Sequence, residues 1–127
     1  MKEIIIVTGA SSGLGREFVR QIELKVNVDE IWVIARREER LKELKGEVKT
    51  PLKIFVLDLS KQESFDVIKN ALEKEKPLIK LLVNCAGFGK FGHIEKIPLE
   101  TQLNMIDLNC KAVVSACATA LPFMSDG

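Results

Sequence analysis

Tyrosine is absent from these 127 residues, and histidine and tryptophan occur once each. No phenol is therefore on hand as a proton donor. The lone imidazole, His93, leaves no His-based metal cluster to assemble, and no metal site is expected. Cysteine is limited to Cys85, Cys110 and Cys117, an odd count without the paired spacing of zinc ligands. These read as reduced thiols, behaving as small buried hydrophobes in a cytoplasmic protein. No apolar run nears the roughly 18 residues of a membrane helix. Met1-Lys2-Glu3 leads into a strand and not into the apolar core of a signal peptide. Charge of one sign is not in surplus: 19 Lys and Arg face 18 Asp and Glu, for a net +1. That balance, with no basic block, gives no electrostatic case for nucleic acid or an anionic membrane as partner.

What is present is an ordinary globular composition, 46% hydrophobic and 29% charged, in a length suited to a single domain over residues 1–127. Short apolar runs alternate with helical periodicity. Glu3–Thr8, Ile31–Ala35, Leu52–Leu57 and Leu81–Val83 read as strands covered on both faces. Leu14–Lys25 predicts a helix with Leu14, Phe18, Val19 and Ile22 at apolar positions. Glu38–Lys45 predicts a second, with Leu41 and Leu44 inward and Gly46 as its stop. Ser60 and Glu63 carry the signature of a capping box. They would open a helix that carries Phe65, Ile68 and Leu72 and ends before Pro77. A loop follows from Ala86 to Pro98. The last helix runs from Leu99 towards Leu121, with Leu103, Ile106, Cys110, Val113, Val114 and Cys117 as its apolar stripe and Pro122 at its end. The order βαβαβαβα predicts an α/β fold: a Rossmann-like, doubly wound parallel sheet with four strands in the order 3-2-1-4.

The first strand runs straight into Gly9-Ala10-Ser11-Ser12-Gly13-Leu14-Gly15-Arg16. Glycine permits a tight turn and a close approach of backbone to a ligand. A helix beginning near Leu14 aims its N-terminal N–H groups at an anion. The turn lacks the lysine of an ATP-binding P-loop, and its Gly-x-x-x-Gly-x-Gly spacing differs from the usual dinucleotide fingerprint. It reads as a nucleotide phosphate site. A site for NAD carries an acidic residue about 20 positions beyond the glycines. Here the second strand ends in Ala35-Arg36-Arg37 instead. Two guanidiniums at that place suit a ribose 2′-phosphate through charge-assisted, bidentate bonds. The plainer alternative is that they pair with Glu38 and Glu39. The expected cofactor is NADP(H).

Thr8–Gly15 closely resembles the cofactor motif of the short-chain dehydrogenases/reductases. Leu57-Asp58-Leu59-Ser60 resembles that family's acidic turn after strand 3. Asn84-Cys85-Ala86-Gly87 resembles its Asn-Asn-Ala-Gly motif, with Cys85 in place of the second asparagine. Leu108-Asn109 resembles its helix-borne active-site asparagine. The resemblance implies that Gly9, Ser11, Ser12, Gly13, Leu14 and Gly15 hold the pyrophosphate side, and that Ser11, Arg36 and Arg37 hold the 2′-phosphate. It implies that Asp58 accepts a bond from the adenine amino group with Leu59 beside the ring. Asn84, Ala86 and Gly87 would lie along the ribose, and Asn109 would belong to the proton relay.

The resemblance also implies hydride transfer to a carbonyl or from an alcohol, assisted by a tyrosine whose pKa a lysine four residues later lowers. That Tyr-x-x-x-Lys pair is absent. The chain therefore resembles the cofactor-binding half of such an oxidoreductase, truncated before a fifth strand, inactive alone and engaging a substrate only in a full-length form. The alternative is a non-catalytic nucleotide-binding or interaction module, complete at 127 residues. An unpaired fourth strand and an apolar last helix predict a homo-oligomer formed through either element.

Overall fold

The computed structural model describes residues 1–11, 13–88 and 92–125. Its elements are β1 (Glu3–Thr8), α1 (Gly13–Lys25), β2 (Glu30–Ala35), α2 (Glu38–Glu47), β3 (Leu52–Val56), α3 (Ser64–Glu75), β4 (Leu78–Asn84), α4 (Leu99–Ile106) and α5 (Ala112–Ala120). The four strands form one parallel sheet in the order β3-β2-β1-β4. Helices cover both faces, as the alternation predicts. Successive side chains of a strand point to opposite faces, so β1 feeds two cores. Ile4 and Ile6 join Trp32, Ile34 and Phe55 under α3 and α5, while Ile5 and Val7 join Ile31, Val33 and Leu52 under α1 and α2. This double burial is why β1 reads as an unbroken apolar run.

Several boundaries differ from the sequence expectation for physical reasons. β4 begins at Leu78, three residues early, because an irregularity opposite Ile4 and Ile5 lets both Ile79 and Leu81 pair with β1 and masks the alternation. Leu57 leaves the β3 ladder, although its N–H still reaches the Ala35 carbonyl at 3.0 Å. α2 passes through Gly46 to Glu47, and its C-cap, Val48, is extended rather than left-handed. Leu14 and Phe18 lie on the exposed side of α1, with Val19 and Ile22 beneath it. The capping box does not form. Ser60 donates its hydroxyl to Asp58 Oδ1 at 2.7 Å, and α3 starts only at Ser64, after a run of i→i+3 backbone bonds. A carboxylate two residues away captures the hydroxyl that would have capped the helix.

The last helix divides into α4, a π-helical turn at Asp107–Lys111, and α5, closed by a 3-10 turn at Leu121–Phe123 that contains Pro122. α5 lays Ala112, Ala116 and Ala120 on the sheet. The stripe of large apolar residues along α4 and α5 faces outward: Leu103 and Ile106 are 51% exposed and Val114 69%. Cys110 and Cys117 are exposed too, so the reading of these thiols as buried hydrophobes is corrected. Only small side chains fit the close contact of α5 with the sheet, which excludes the larger residues from that face. Beyond β4, the edge is met at one point by an isolated parallel bridge between Ile79 and Met124 among the described residues.

Ala116→Leu should force extra methylenes between α5 and the sheet and lower the unfolding free energy by about 1–3 kcal/mol. Val114→Ala, in the exposed stripe, should change it by less than about 0.5 kcal/mol. Urea denaturation of dilute protein measures both, and the reverse ranking would contradict this packing.

Candidate functional site

The site lies at the C-terminal edge of the sheet, beside β1, where the strand order reverses. β1 ends at Thr8 and the chain turns through Gly9, at φ +67°, towards α1. Alongside, β4 ends at Asn84 and continues as Cys85-Ala86-Gly87. The Thr8 hydroxyl oxygen accepts the N–H groups of Cys85 (3.1 Å) and Ala86 (3.2 Å). A Cβ on Gly9 would stand 2.6 Å from the Cys85 carbonyl and the Ala86 nitrogen, and one on Gly15 would overlap the Gly9 carbonyl. These two glycines are required by contacts inside the fold. Gly13 differs: among the described residues, nothing lies within 4 Å of the position its Cβ would take.

A cleft of about 390 Å³ opens between the turn and the end of β2. Gly9, Ser11, Gly13 and Leu14 form one wall, Arg36 and Arg37 the other, with Leu59, Ala86 and Gly87 also lining it. Gly15 is buried beneath the turn, and Ser12 lies outside the described residues. Asp58 lines an adjoining recess of about 660 Å³ with Arg36 and Lys61, and Arg36 and Phe88 border both spaces. Asn84 turns its amide nitrogen towards Cys117 Sγ at 3.7 Å instead of lining the cleft. Thr8 was not singled out from sequence, although a polar residue closing an otherwise apolar strand was a usable signal.

The short chain dehydrogenase family pattern matches residues 3–127. The chain belongs to the short chain dehydrogenase family. It is 33% identical over 126 residues to an NADP-dependent 3-hydroxy acid dehydrogenase of Escherichia coli K12, covering 95% of this chain and 48% of that protein. It is 28% identical over 123 residues to an uncharacterized oxidoreductase of Staphylococcus epidermidis, covering 97% and 53%. The crystal structure of serine dehydrogenase from E. coli matches with a TM-score of 0.81 at 32% identity, over 94% of this chain and 55% of that one. A metagenomic short-chain oxidoreductase in complex with NADP shares the fold, with a TM-score of 0.85 at 23% identity over 94% and 55%. The chain spans about half the length of the curated relatives it matches.

In this member of the family the Asp58 carboxyl is pushed up by burial, but the Ser60 hydroxyl and amide, with the charges of Arg36 and Lys61, outweigh that effect and hold it below the usual carboxylate range. Both Ser60 donors go to Oδ1, so one carboxylate oxygen is committed to the turn. Burial pushes the Cys85 thiol up, which keeps it protonated and poorly nucleophilic. Asn109 sits in the π-turn, where its amide nitrogen donates to the Phe88 carbonyl (2.7 Å) and its Oδ1 accepts the Phe88 N–H (3.0 Å). A Cβ on Gly87 would overlap that Oδ1. The amide thus holds the backbone of the loop after β4, and Gly87 makes room for it.

Thr8→Val removes the acceptor of the Ala86 amide and weakens that of Cys85, with an expected loss of about 1–3 kcal/mol of stability. Thr8→Ser keeps the oxygen and should lose less. Gly87→Ala should displace the Asn109 amide and speed hydrogen exchange at Phe88. Denaturant titration and amide exchange read these outcomes.

Proposed function

We propose that the cleft binds NADP(H) and that this chain is the cofactor-binding portion of a short-chain oxidoreductase that transfers hydride between nicotinamide and a carbonyl or alcohol. The observation that carries this reading is that Arg36 and Arg37 line the same cleft as the glycine turn leading into α1. A helix N-terminus offers one anion site and the guanidiniums a second, as a 2′-phosphorylated dinucleotide requires. The open space at Gly13 fits close approach of a phosphate. The NADP dependence of the E. coli relative supports the same cofactor.

On this reading Gly9, Ser11, Gly13, Leu14 and Gly15 form the pyrophosphate side, and Ser11, Arg36 and Arg37 the 2′-phosphate side. The second oxygen of Asp58 faces the adenine amino group, with Leu59 beside the ring. Ala86 and Gly87 support the ribose side, whereas Asn84, turned towards Cys117, lies off the cleft. Asn109 holds the Phe88 loop and belongs to the proton relay of the family. When bound, the nicotinamide supplies or accepts the hydride. Without a tyrosine among the 127 residues, no phenol completes proton transfer, and the chain alone binds without reducing carbonyls. That same missing tyrosine favours a second reading, a non-catalytic nucleotide-binding module.

Calorimetry with NADPH and NADH tests the cofactor. NADPH should bind more tightly, and Arg36→Ala with Arg37→Ala should abolish the difference. Equal affinities for the native chain would overturn the preference, and robust carbonyl reduction would overturn the inactivity.

We also infer self-association of two copies through the last helix, with the β4 edge as a second route. The exposed stripe is symmetric about Cys110: Ile106 and Val114 lie 4 residues away, Leu103 and Cys117 lie 7, and Leu99 and Leu121 lie 11. An antiparallel second copy would therefore meet apolar positions with apolar positions along the seam. Sedimentation should show a concentration-dependent dimer that Ile106→Glu dissociates. A native chain that stays monomeric at high concentration would contradict it.

A further inference from the structure

α2 is lightly anchored for a helix that follows directly from the cleft wall. Of its 10 residues only Leu41 and Leu44 are buried, and no side chain caps its N-terminus at Arg37. Two leucines hold it to the sheet but leave its tilt poorly fixed. Among the described residues, the ion pairs that leave α2 all run to α1. Arg16 Nη2 donates to Glu47 Oε1 at 2.9 Å and lies 3.7 Å from a Glu43 oxygen. Arg20 takes the other Glu47 oxygen through Nε at 2.9 Å and Nη2 at 2.6 Å.

The two arginines are not equivalent. The Arg20 side chain is 42% exposed, and that of Arg16 only 16%. Among the described residues, Arg16 Nε is buried without a hydrogen-bond partner, an unfavourable arrangement that the fold nonetheless keeps. Arg16 directly follows Gly15 in the first turn of α1, which continues from the glycine turn, and α2 directly follows Arg36 and Arg37. One side chain therefore ties the turn that forms one wall of the cleft to the helix that continues from the other.

We propose that Arg16 is a positioning residue for cofactor discrimination: by clamping Glu43 and Glu47 it fixes α2, and through α2 it sets the Arg36–Arg37 segment against the glycine turn. This rests on the NADP(H) reading and adds to it a residue that does not line the cleft. Its action is indirect, and so its partner Glu47 matters as much as Arg16 itself. A direct phosphate contact would behave in the opposite way, because removing the Glu47 charge would free the guanidinium for the ligand.

The test uses Arg16→Met, Arg16→Lys and Glu47→Gln, with two readouts. Hydrogen exchange over residues 38–47 of the ligand-free chain should quicken in Arg16→Met and Glu47→Gln and be partly restored in Arg16→Lys. Calorimetry should show NADPH affinity falling about threefold to tenfold in both variants, with NADH changed less than about twofold. Unchanged exchange in Arg16→Met overturns the strut. So does a Glu47→Gln variant that binds NADPH as tightly as the native chain or more so while Arg16→Met weakens it. If the native chain binds neither dinucleotide, the NADP(H) reading fails and the role in discrimination falls with it, while the exchange data still decide whether Arg16 holds α2.

Discussion

The close crossing of the Gly9 turn with the Cys85–Ala86 backbone is the constraint on which the site depends. Gly9 donates its N–H to the Ile34 carbonyl at 2.8 Å, so the turn is tied to β2. One residue earlier, the Thr8 hydroxyl ties β1 to the segment after β4. Two consecutive residues thus bind three strands at the edge of the sheet where the cleft opens. Gly15 packs α1 against the Gly9 carbonyl from below. A side chain at either glycine would push α1 or the β4 segment away and widen the cleft. What fixes the geometry is the internal contact, and the anion-facing helix end is its consequence.

The two walls of the cleft are held by different forces. The β1–α1–β4 wall rests on buried backbone contacts and hydrogen bonds, whose loss is worth about 1–3 kcal/mol each. The wall carrying Arg36 and Arg37 leads into α2, held by two leucines and by ion pairs with partly exposed partners. Exposed pairs contribute about 0–1 kcal/mol each and are screened by salt. On the proposed NADP(H) reading, the pyrophosphate contacts fall on the stiff wall and selection between dinucleotides on the compliant one.

The sheet was legible in the sequence because burial on both faces leaves β1 no polar position except at its ends, and because alternating strands and helices admit few topologies. The cleft was legible for a similar reason: the glycine turn and Arg36–Arg37 each terminate a strand, and adjacent parallel strands end together. Features decided by distant partners were not legible. Ser60 matches a capping serine until Asp58 captures its hydroxyl. Gly46 looks like a helix stop until Arg16 and Arg20 hold the next residue. The face of the last helix was obscured by size: hydrophobicity marks Leu103, Ile106 and Val114, whereas close packing selects Ala112, Ala116 and Ala120. Asparagine is a poor choice in the middle of a helix, which sets Asn109 apart, but nothing local names Phe88 as its partner.

The same π-turn separates two helices with unequal support. α5 has its alanine line on the sheet, but α4 has no buried residue. α4 and its approach are held by hydrogen bonds: the Gln102 amide donates to the Ile94 and Ile97 carbonyls (3.0 and 2.9 Å), and Asn109 grips Phe88 at the other end. π-turns commonly mark functional positions in helices, and here the turn carries Asn109, which ties the helix to the start of the loop after β4. The recess beside Asp58 is bounded on one side by Glu100, Thr101, Leu103, Asn104 and Asp107 of α4 and the π-turn, and on the other by Ser60 and Lys61. Its width is therefore set by a helix without a core of its own, positioned through Asn109. The pairing of Asn109 with Phe88 links the shape of that recess to the floor of the cleft, because Phe88 borders both.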